Sequence, residues 1–474
     1  MYPDNGGDVF SPVTNMLTNL LPALLVWVAL ALPASAQQAA SAAVPASTAA
    51  DAAAPEAEAF SVKTEEAARA ANVNLREVFE SPSTSAVLPR ISAGEAAVQE
   101  EAAAVAHQEA KWSPVQILLN PEEILRHPNT TRSLLTVEIP PATSTRLIWK
   151  PSRTFSGMAV DTPVLVVNGA YDGPTMCLTA AVHGDEINGI EMIRQVIYEL
   201  DPHKLHGMIV GVPIVNLLGF SRNSRYLPDR RDLNRYFPGN PNGSVASRIA
   251  DGFFNDVVKH CDMLIDIHTG SFYRTNIPQL RADLSNKPVA DFVELFGDIP
   301  VLHSKGNSRS LRAAAVSAGI PTVTLEAGEP MRMQRDMVDI GVKLINTMLA
   351  KSGMYSKLGL WVKPAPAFYD TAWVRTDASG ILFSRIALGD EVKEGDVLGA
   401  VNNPISNEQV DIVSPHKGRV LGMALDQFVM PGFAIYHIGI HTPKTSLMAR
   451  ESTAGEESDD MDEPADPGER YDDE

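Results

Sequence analysis

Between about residue 112 and residue 352, short apolar runs alternate with longer amphipathic stretches. Pro163–Val167, Met176–Val182, Met208–Val215, Met263–Ile267 and Thr322–Leu325 read as buried strands. Ile187–Leu200, Ser244–Lys259, Pro288–Phe296, Arg309–Ala318 and Met337–Ala350 carry the spacing of helices. Strand and helix in alternation predict an α/β sheet with helices on both faces. After Leu360 the texture changes: Gly380, Gly389, Gly395, Gly399, Gly418, Gly422, Gly432 and Gly439 punctuate short β-branched runs. Glycines at turn-like intervals predict a small all-β C-terminal domain, to about Ile440.

The flanks lack this patterning. Of the 74 residues from Gln37 to Ala110, 25 are alanine, interleaved with Glu, Ser and Pro. Such a stretch buries too little apolar surface to offset its ordering entropy and reads as a tether, with Thr64–Ala71 and Glu95–Ala110 as candidate helices. Leu20–Leu32 is a thirteen-residue apolar run ending in Pro33-Ala34-Ser35-Ala36, an A-x-A cleavage pattern. That run is short for a bilayer span and suits a secretory signal. Asp4 and Asp8 precede it with no Lys or Arg, an unusual start that initiation at Met16 would remove. The expected location is the periplasm or beyond, with no stable span once the signal is cleaved; an uncleaved anchor is the rival reading. The expected divisions are 1–36 signal, 37–110 tether, 111–355 α/β domain, 356–445 β domain and 446–474 acidic tail.

Composition narrows the class. At 45% apolar and 20% charged residues, the chain is neither disordered throughout nor fibrous. The net charge is −19, yet Arg450–Glu474 alone holds 12 acids and 2 bases, so the remainder is only mildly acidic. No nucleic-acid partner is expected. Cys177 and Cys261, the two cysteines, allow one bridge, but both lie in or beside apolar runs where buried thiols are the plainer expectation.

Candidate chemistry gathers where strands end. Met176–Val182 runs into His183-Gly184-Asp185-Glu186, placing an imidazole and a carboxylate three residues apart, where a helical first turn would point both the same way. That pair suits zinc, and a catalytic zinc takes a third protein ligand while keeping one position open. His268, ending the strand Met263–Ile267, is the candidate third ligand, with Asp266 behind it to orient a ligand. Between these strand ends, Ser221–Gly239 packs five arginines into fourteen positions. Arg222, Arg230 and Arg231 read as solvated; guanidinium groups are otherwise natural clamps for a carboxylate or an oxyanion. His203-x-x-His206 reads as a solvated turn in preference to a second metal site. The sequence has no G-x-x-x-x-G-K-[ST] loop, no G-x-S-x-G elbow and no C-x-x-C.

HGDE, then SRYLPDRRDLNRYFPG, then DIHTG, then TLEAG, in this order over about Gly169–Ala350, resemble the succinylglutamate desuccinylase/aspartoacylase family of the zinc carboxypeptidase-like superfamily. VSPHKGRV at 413–420 resembles the β-rich C-terminal domain of those proteins. The resemblance implies a mixed central sheet flanked by helices, and one zinc per chain held by His183, Glu186 and His268. It makes Glu326 the general base that activates water and later protonates the leaving amine. Arg225 would polarise the scissile carbonyl, while Asn234 and Arg235 grip a free carboxylate. Arg281 is a further substrate-contact candidate, and Glu329 reads as a solvated neighbour. Asn216-Leu217 stands where Asn-Pro is expected, a change of loop geometry.

The expectation is therefore a zinc hydrolase of an amide bond beside a free carboxylate, on an N-acyl amino acid or a short peptide. The alternative of another class is a non-catalytic anionic-ligand-binding or scaffold protein of the same fold. Self-association into a homo-oligomer is compatible with either.

Overall fold

The computed structural model describes residues 127–151, 161–271, 273–355 and 366–449. The expected signal and tether, the acidic tail beyond residue 449 and the division at 355/356 lie outside them. Their strands are β1 (Arg132–Leu134), β2 (Val137–Ile139), β3 (Thr143–Trp149), β4 (Thr162–Asn168), β5 (Tyr171–Ala180), β6 (His206–Val212), β7 (Met263–His268), β8 (Arg274–Ala282), β9 (Pro300–His303) and β10 (Thr322–Gly328). Among them run α1 (Asn188–Glu199), α2 (Leu217–Phe220), α3 (Val245–Asp256), α4 (Lys287–Val293), α5 (Leu311–Ser317) and α6 (Arg335–Lys351). Each expected strand and helix is present with shifted ends. β1, β2, β3, β8, β9 and the short α2 are additions that the hydrophobic pattern did not announce.

The core of the sheet runs β8-β10-β7-β5-β6. β10, β7, β5 and β6 are mutually parallel, and β8 is antiparallel to β10. β5 and β7 are buried almost throughout because helices cover both faces, which is why they read as continuous apolar runs. On one face α1, α4 and α6 close a core containing Met192, Ile193, Phe292 and Ile345; on the other, α3 and α5 close one containing Phe253, Ala250 and Leu311. The fold is mixed α/β.

The C-terminal part holds β11 (Ala367–Arg375), β12 (Gly380–Ser384), β13 (Glu391–Val392), β14 (Val397–Asn402), β15 (Gln409–Val413), β16 (Gly418–Ala424), β17 (Phe428–Val429) and β18 (Ala434–His441), followed by the short α7 (Lys444–Met448). These strands divide between two sheets. β15-β14-β12-β17 form a four-stranded sheet of their own, whereas β13-β16-β18-β11 continue the large sheet to twelve strands. Two seams join them to it: β11 pairs parallel with β9, and β16 pairs antiparallel with the start of β8.

The two cysteines correct the sequence reading. Cys177 in β5 and Cys261, just before β7, form a disulfide with Cα atoms 5.7 Å apart. The two strands are parallel neighbours, with Cys177 in register with Leu264, so the cysteines face each other across a sheet spacing that the linear sequence does not reveal. The bridge closes an 84-residue separation. Replacing both cysteines by serine should lower the unfolding free energy by about 2–4 kcal/mol. Urea unfolding of wild type and variant, with and without reductant, checks this: the difference should vanish when wild type is reduced.

Candidate metal centre and cavity

Three strand ends build the site. β5 leaves the sheet into the turn His183–Glu186, closed by Glu186 N–H donating to His183 O at 3.2 Å. Gly184 is required there by close approach, because a Cβ would lie 2.2 Å from the backbone of Gly219 and Phe220. The turn is thereby seated against α2, whose N-cap Asn216 accepts from Gly219 N–H at 2.8 Å and donates to Arg225 O at 3.3 Å. The residue after Asn216 is thus free to be leucine. The cap itself holds the loop and the strand of backbone that carries Arg225.

His268 ends β7, and Glu326 stands directly opposite it on β10. His183, Glu186 and His268 are all buried, and each offers a ligand atom within 4.8 Å of the others. His183 Nδ1 and His268 Nδ1 approach to 3.2 Å, and each lies 2.8 Å from an oxygen of Glu186. The outer nitrogens are engaged elsewhere: His183 Nε2 with Asp232 Oδ1 at 3.1 Å and His268 Nε2 with Asp266 Oδ2 at 2.8 Å. An ionised carboxylate only accepts, so each Nε2 carries a proton; each Nδ1 faces Glu186 in the same way, and giving up its proton there would turn it into a lone pair for a metal. The two Nδ1 atoms and the carboxylate converge on one point.

Charge gives the same result. Glu186, Asp232 and Asp266 are buried with one buried guanidinium, Arg225, which donates to Glu186 Oε1 at 3.1 Å and Asp232 Oδ2 at 2.9 Å. As it stands, protonated His183 and His268 with Arg225 balance the three carboxylates; with both imidazoles neutral, as metal ligands are, two negative charges would remain, the amount a divalent cation cancels. Burial pushes Glu186 up, but His183 and His268 hold its carboxyl well below the usual range. Burial pushes His268 down, yet Asp266 and Glu186 raise it well above an ordinary imidazole. The donor set fits a divalent metal, and the carboxylate behind each imidazole fixes ring orientation.

Glu326 is separate from this set. Its Oε1 lies 3.4 Å from Arg281 Nε, and its Oε2 accepts from Asn276 Nδ2 at 3.2 Å, both partners coming from β8. Burial raises its carboxyl above the ordinary range, against the downward pull of Arg281. The cavity over the cluster is lined by Arg225, Asn234, Arg281 and Glu326 among the expected residues. Asn234 Oδ1 accepts from Leu311 N–H at the start of α5, at 2.8 Å. Arg235 is not brought to the cavity wall; its guanidinium lies 3.9 Å from Asp232 Oδ2 and donates to Asn234 O at 3.1 Å. Arg222, Arg230 and Arg231 are exposed, as expected. Glu329 is a correction: it is buried and paired with Arg332 at 2.9 Å, because the turn after β10 folds Arg332 back over it.

Asp232 is the functional candidate that the motif reading passed over, although it stands two residues before Asn234 in the same arginine-rich loop. Its Oδ1 also accepts from Asn234 N–H at 2.8 Å, so one carboxylate holds both an imidazole and a backbone turn. Arg274, Asn276 and Arg312 also line the cavity and were not anticipated.

A buried two-histidine, one-carboxylate cluster at parallel strand ends, facing a further carboxylate, is the arrangement of a metal-assisted hydrolytic site. The resemblance read from the sequence is borne out: residues 172–352 match the model of the succinylglutamate desuccinylase/aspartoacylase catalytic domain. A relative, the N-alpha-acetyl-L-2,4-diaminobutyric acid deacetylase of Halomonas elongata, is 29% identical over 256 residues, covering 51% of this chain and 74% of that one. Two solved structures share the fold. The succinylglutamate desuccinylase/aspartoacylase from Rhodobacter sphaeroides is 24% identical with TM-score 0.56, covering 63% of this chain and 96% of its own. The product-bound ectoine utilization protein EutE (DoeB) from Ruegeria pomeroyi is 24% identical with TM-score 0.56, covering 63% and 95%.

Replacing Asp266 or Asp232 by Asn removes the negative charge that orients and polarises a ligand imidazole. Each change should weaken divalent-metal binding by about 10–100-fold, measured by competition with a chromogenic chelator. Glu326→Gln should leave that affinity within a few fold.

Proposed function

We propose that the chain is an exported zinc-dependent hydrolase that cleaves an amide bond next to a free carboxylate. The observation that carries this reading is the placement of Glu326, a buried carboxylate opposite His268 on the neighbouring strand and outside the ligand cluster. A purely structural metal site would be closed by a fourth protein ligand and would have no use for a polar cavity above it. His183, Glu186 and His268 would hold the zinc, whose Lewis acidity lowers the pKa of water from 15.7 to about 7.

Around it the chain's own groups divide the work. Glu326 takes a proton from the attacking water and returns it to the leaving amine nitrogen, so one carboxyl serves as base and then as acid. Arg281 and Asn276 hold that carboxyl in place. Arg225, fixed between Glu186 and Asp232, supplies positive charge for the carbonyl oxygen as it becomes an oxyanion. Asn234, on the cavity wall, receives the substrate's free carboxylate, and Arg235, set back from the wall against Asp232, adds positive charge behind it. The name of the Halomonas elongata relative, a deacetylase of an acylated amino acid, favours an N-acyl amino acid over a peptide. The Cys177–Cys261 bridge supports export, since disulfides persist in oxidising compartments. No helix among the described residues is long and apolar enough to cross a membrane.

Elemental analysis of the purified chain should give about one zinc, lost in His183→Ala and kept in Glu326→Gln. A panel of N-acyl amino acids should be hydrolysed by wild type, and Glu326→Gln should lower kcat by about 10²–10⁴-fold. A wild type that cannot be loaded with zinc would sink the proposal.

The acid limb of kcat/KM tests the electrostatics. Glu326 must be ionised to accept a proton, and burial raises its carboxyl, so activity should fall with decreasing pH while ordinary carboxylates are still ionised. Arg281→Gln removes the opposing pull and should move that limb to higher pH. A limb that stays put in the variant would assign it to another group.

A further inference from the structure

Arg274, at the start of β8, differs from Arg225, Arg235 and Arg281 in what surrounds its guanidinium. Arg225, Arg235 and Arg281 each lie beside a carboxylate. Arg274 is buried at 4% exposure and lines the same cavity, yet its contacts are of another kind. Nε donates to Ala434 O at 3.1 Å and Nη1 to Ser271 O at 3.4 Å. Its guanidinium carbon stands 4.4 Å from the ring centroid of Phe433 and 5.6 Å from that of Trp373. Nη2 is shielded from solvent and has no hydrogen-bond partner among the described residues. No ion pair between Arg274 and a carboxylate of the described residues is found, and the charge acting on it is another cation, Arg375.

A buried guanidinium with an idle donor is costly unless an anion completes it. The surroundings are built to hold this one still. Trp373 stacks on buried His437 with ring centroids 4.3 Å apart and 4° between planes, and Trp373 itself lines the cavity. Arg274 and Asn276 are two apart on β8 and so share one face, where Asn276 reaches Glu326. Asn276 is pressed in turn by β16, because a Cβ on Gly422 would lie 2.3 Å from its Oδ1. The idle donor is thus on the face of β8 that serves the reacting centre.

We propose that Arg274, backed by Trp373 and Phe433, is a specificity residue that binds a second carboxylate of the substrate, additional to the one assigned to Asn234 and Arg235. This rests on the hydrolase reading above for its meaning, but not for its measurement. The second carboxylate belongs either to the acyl group, as in a dicarboxylic half-amide, or to the side chain of the amino acid. A planar carboxylate pairs with the guanidinium fork in a way that a neutral amide of the same shape cannot.

Two matched pairs separate the sources: N-succinyl-L-alanine against its succinamoyl counterpart, and N-acetyl-L-glutamate against N-acetyl-L-glutamine. Binding is measured by calorimetry on the full chain carrying Glu326→Gln, so no turnover is needed. In one pair the acid should bind at least about tenfold more tightly than the amide. Adding Arg274→Gln should bring that ratio close to one, and Arg274→Lys should keep part of it. The responding pair identifies where the carboxylate sits. Equal binding within both pairs, or a ratio that survives Arg274→Gln, would overturn the proposal. If Arg274→Gln does not fold, Arg274→Lys decides: a ratio reduced severalfold supports the assignment and an unchanged one defeats it. Wild type that hydrolyses none of the four compounds counts against the hydrolase reading alone, while the binding ratios still decide Arg274.

Discussion

The three buried carboxylates Glu186, Asp232 and Asp266 constrain everything around them. Carboxylates taken out of water in this number are tolerated only when each is paired and the sum is balanced. Arg225 is engaged on two of them, Asp266 is occupied by His268, and Glu186 sits between both imidazoles. That pairing leaves room for a dication once both imidazoles are neutral, and it explains why the loop from 221 to 239 is tied in so firmly. Its arginine, its aspartate and its cap on α2 all belong to one electrostatic unit. Glu326 escapes the unit because Arg281 and Asn276 come from a different strand. It can therefore carry a proton without disturbing the balance of the cluster.

Much of this was legible in the sequence, for a physical reason. Strands buried on both faces appear as unbroken apolar runs, and a polar turn that follows one at once marks where the sheet delivers its side chains. His183, Glu186 and His268 were found that way, and Glu326 came from the family resemblance that the ordered motifs carry. β8 was not legible. It carries Pro278 and polar residues because one face turns to the cavity, so it shows neither an apolar run nor clean alternation. With it went Arg274 and Asn276, and with them the reason why Arg281 lies against Glu326. Asp232 hid for a different cause. In a loop crowded with charge, no spacing rule distinguishes the acid that reaches an imidazole from one that faces water.

The cysteines and Glu329 were misjudged through non-local geometry. Which residues face each other across parallel strands depends on register, and register between β5 and β7 is set by side chains some 85 positions apart. Glu329 sits on a turn whose path back toward the protein cannot be read from its neighbours in sequence. Glycine spacing did announce strands after Leu360. It could not show which sheet each would join, since the partners of β11 and β16 lie in β9 and β8.

That sharing of strands has a consequence for how such a chain can be cut or recombined. β8 is held by β10 and β9 along one part and by β16 at its start. Severing the polypeptide near the change of texture would leave the start of β8 and the flank of β9 as bare sheet edges, which invite intermolecular pairing. It would also remove Trp373 from the cavity wall. The stretch that looks most like a detachable module is the one through which the catalytic sheet is closed, so the two halves can be exchanged or inherited only together.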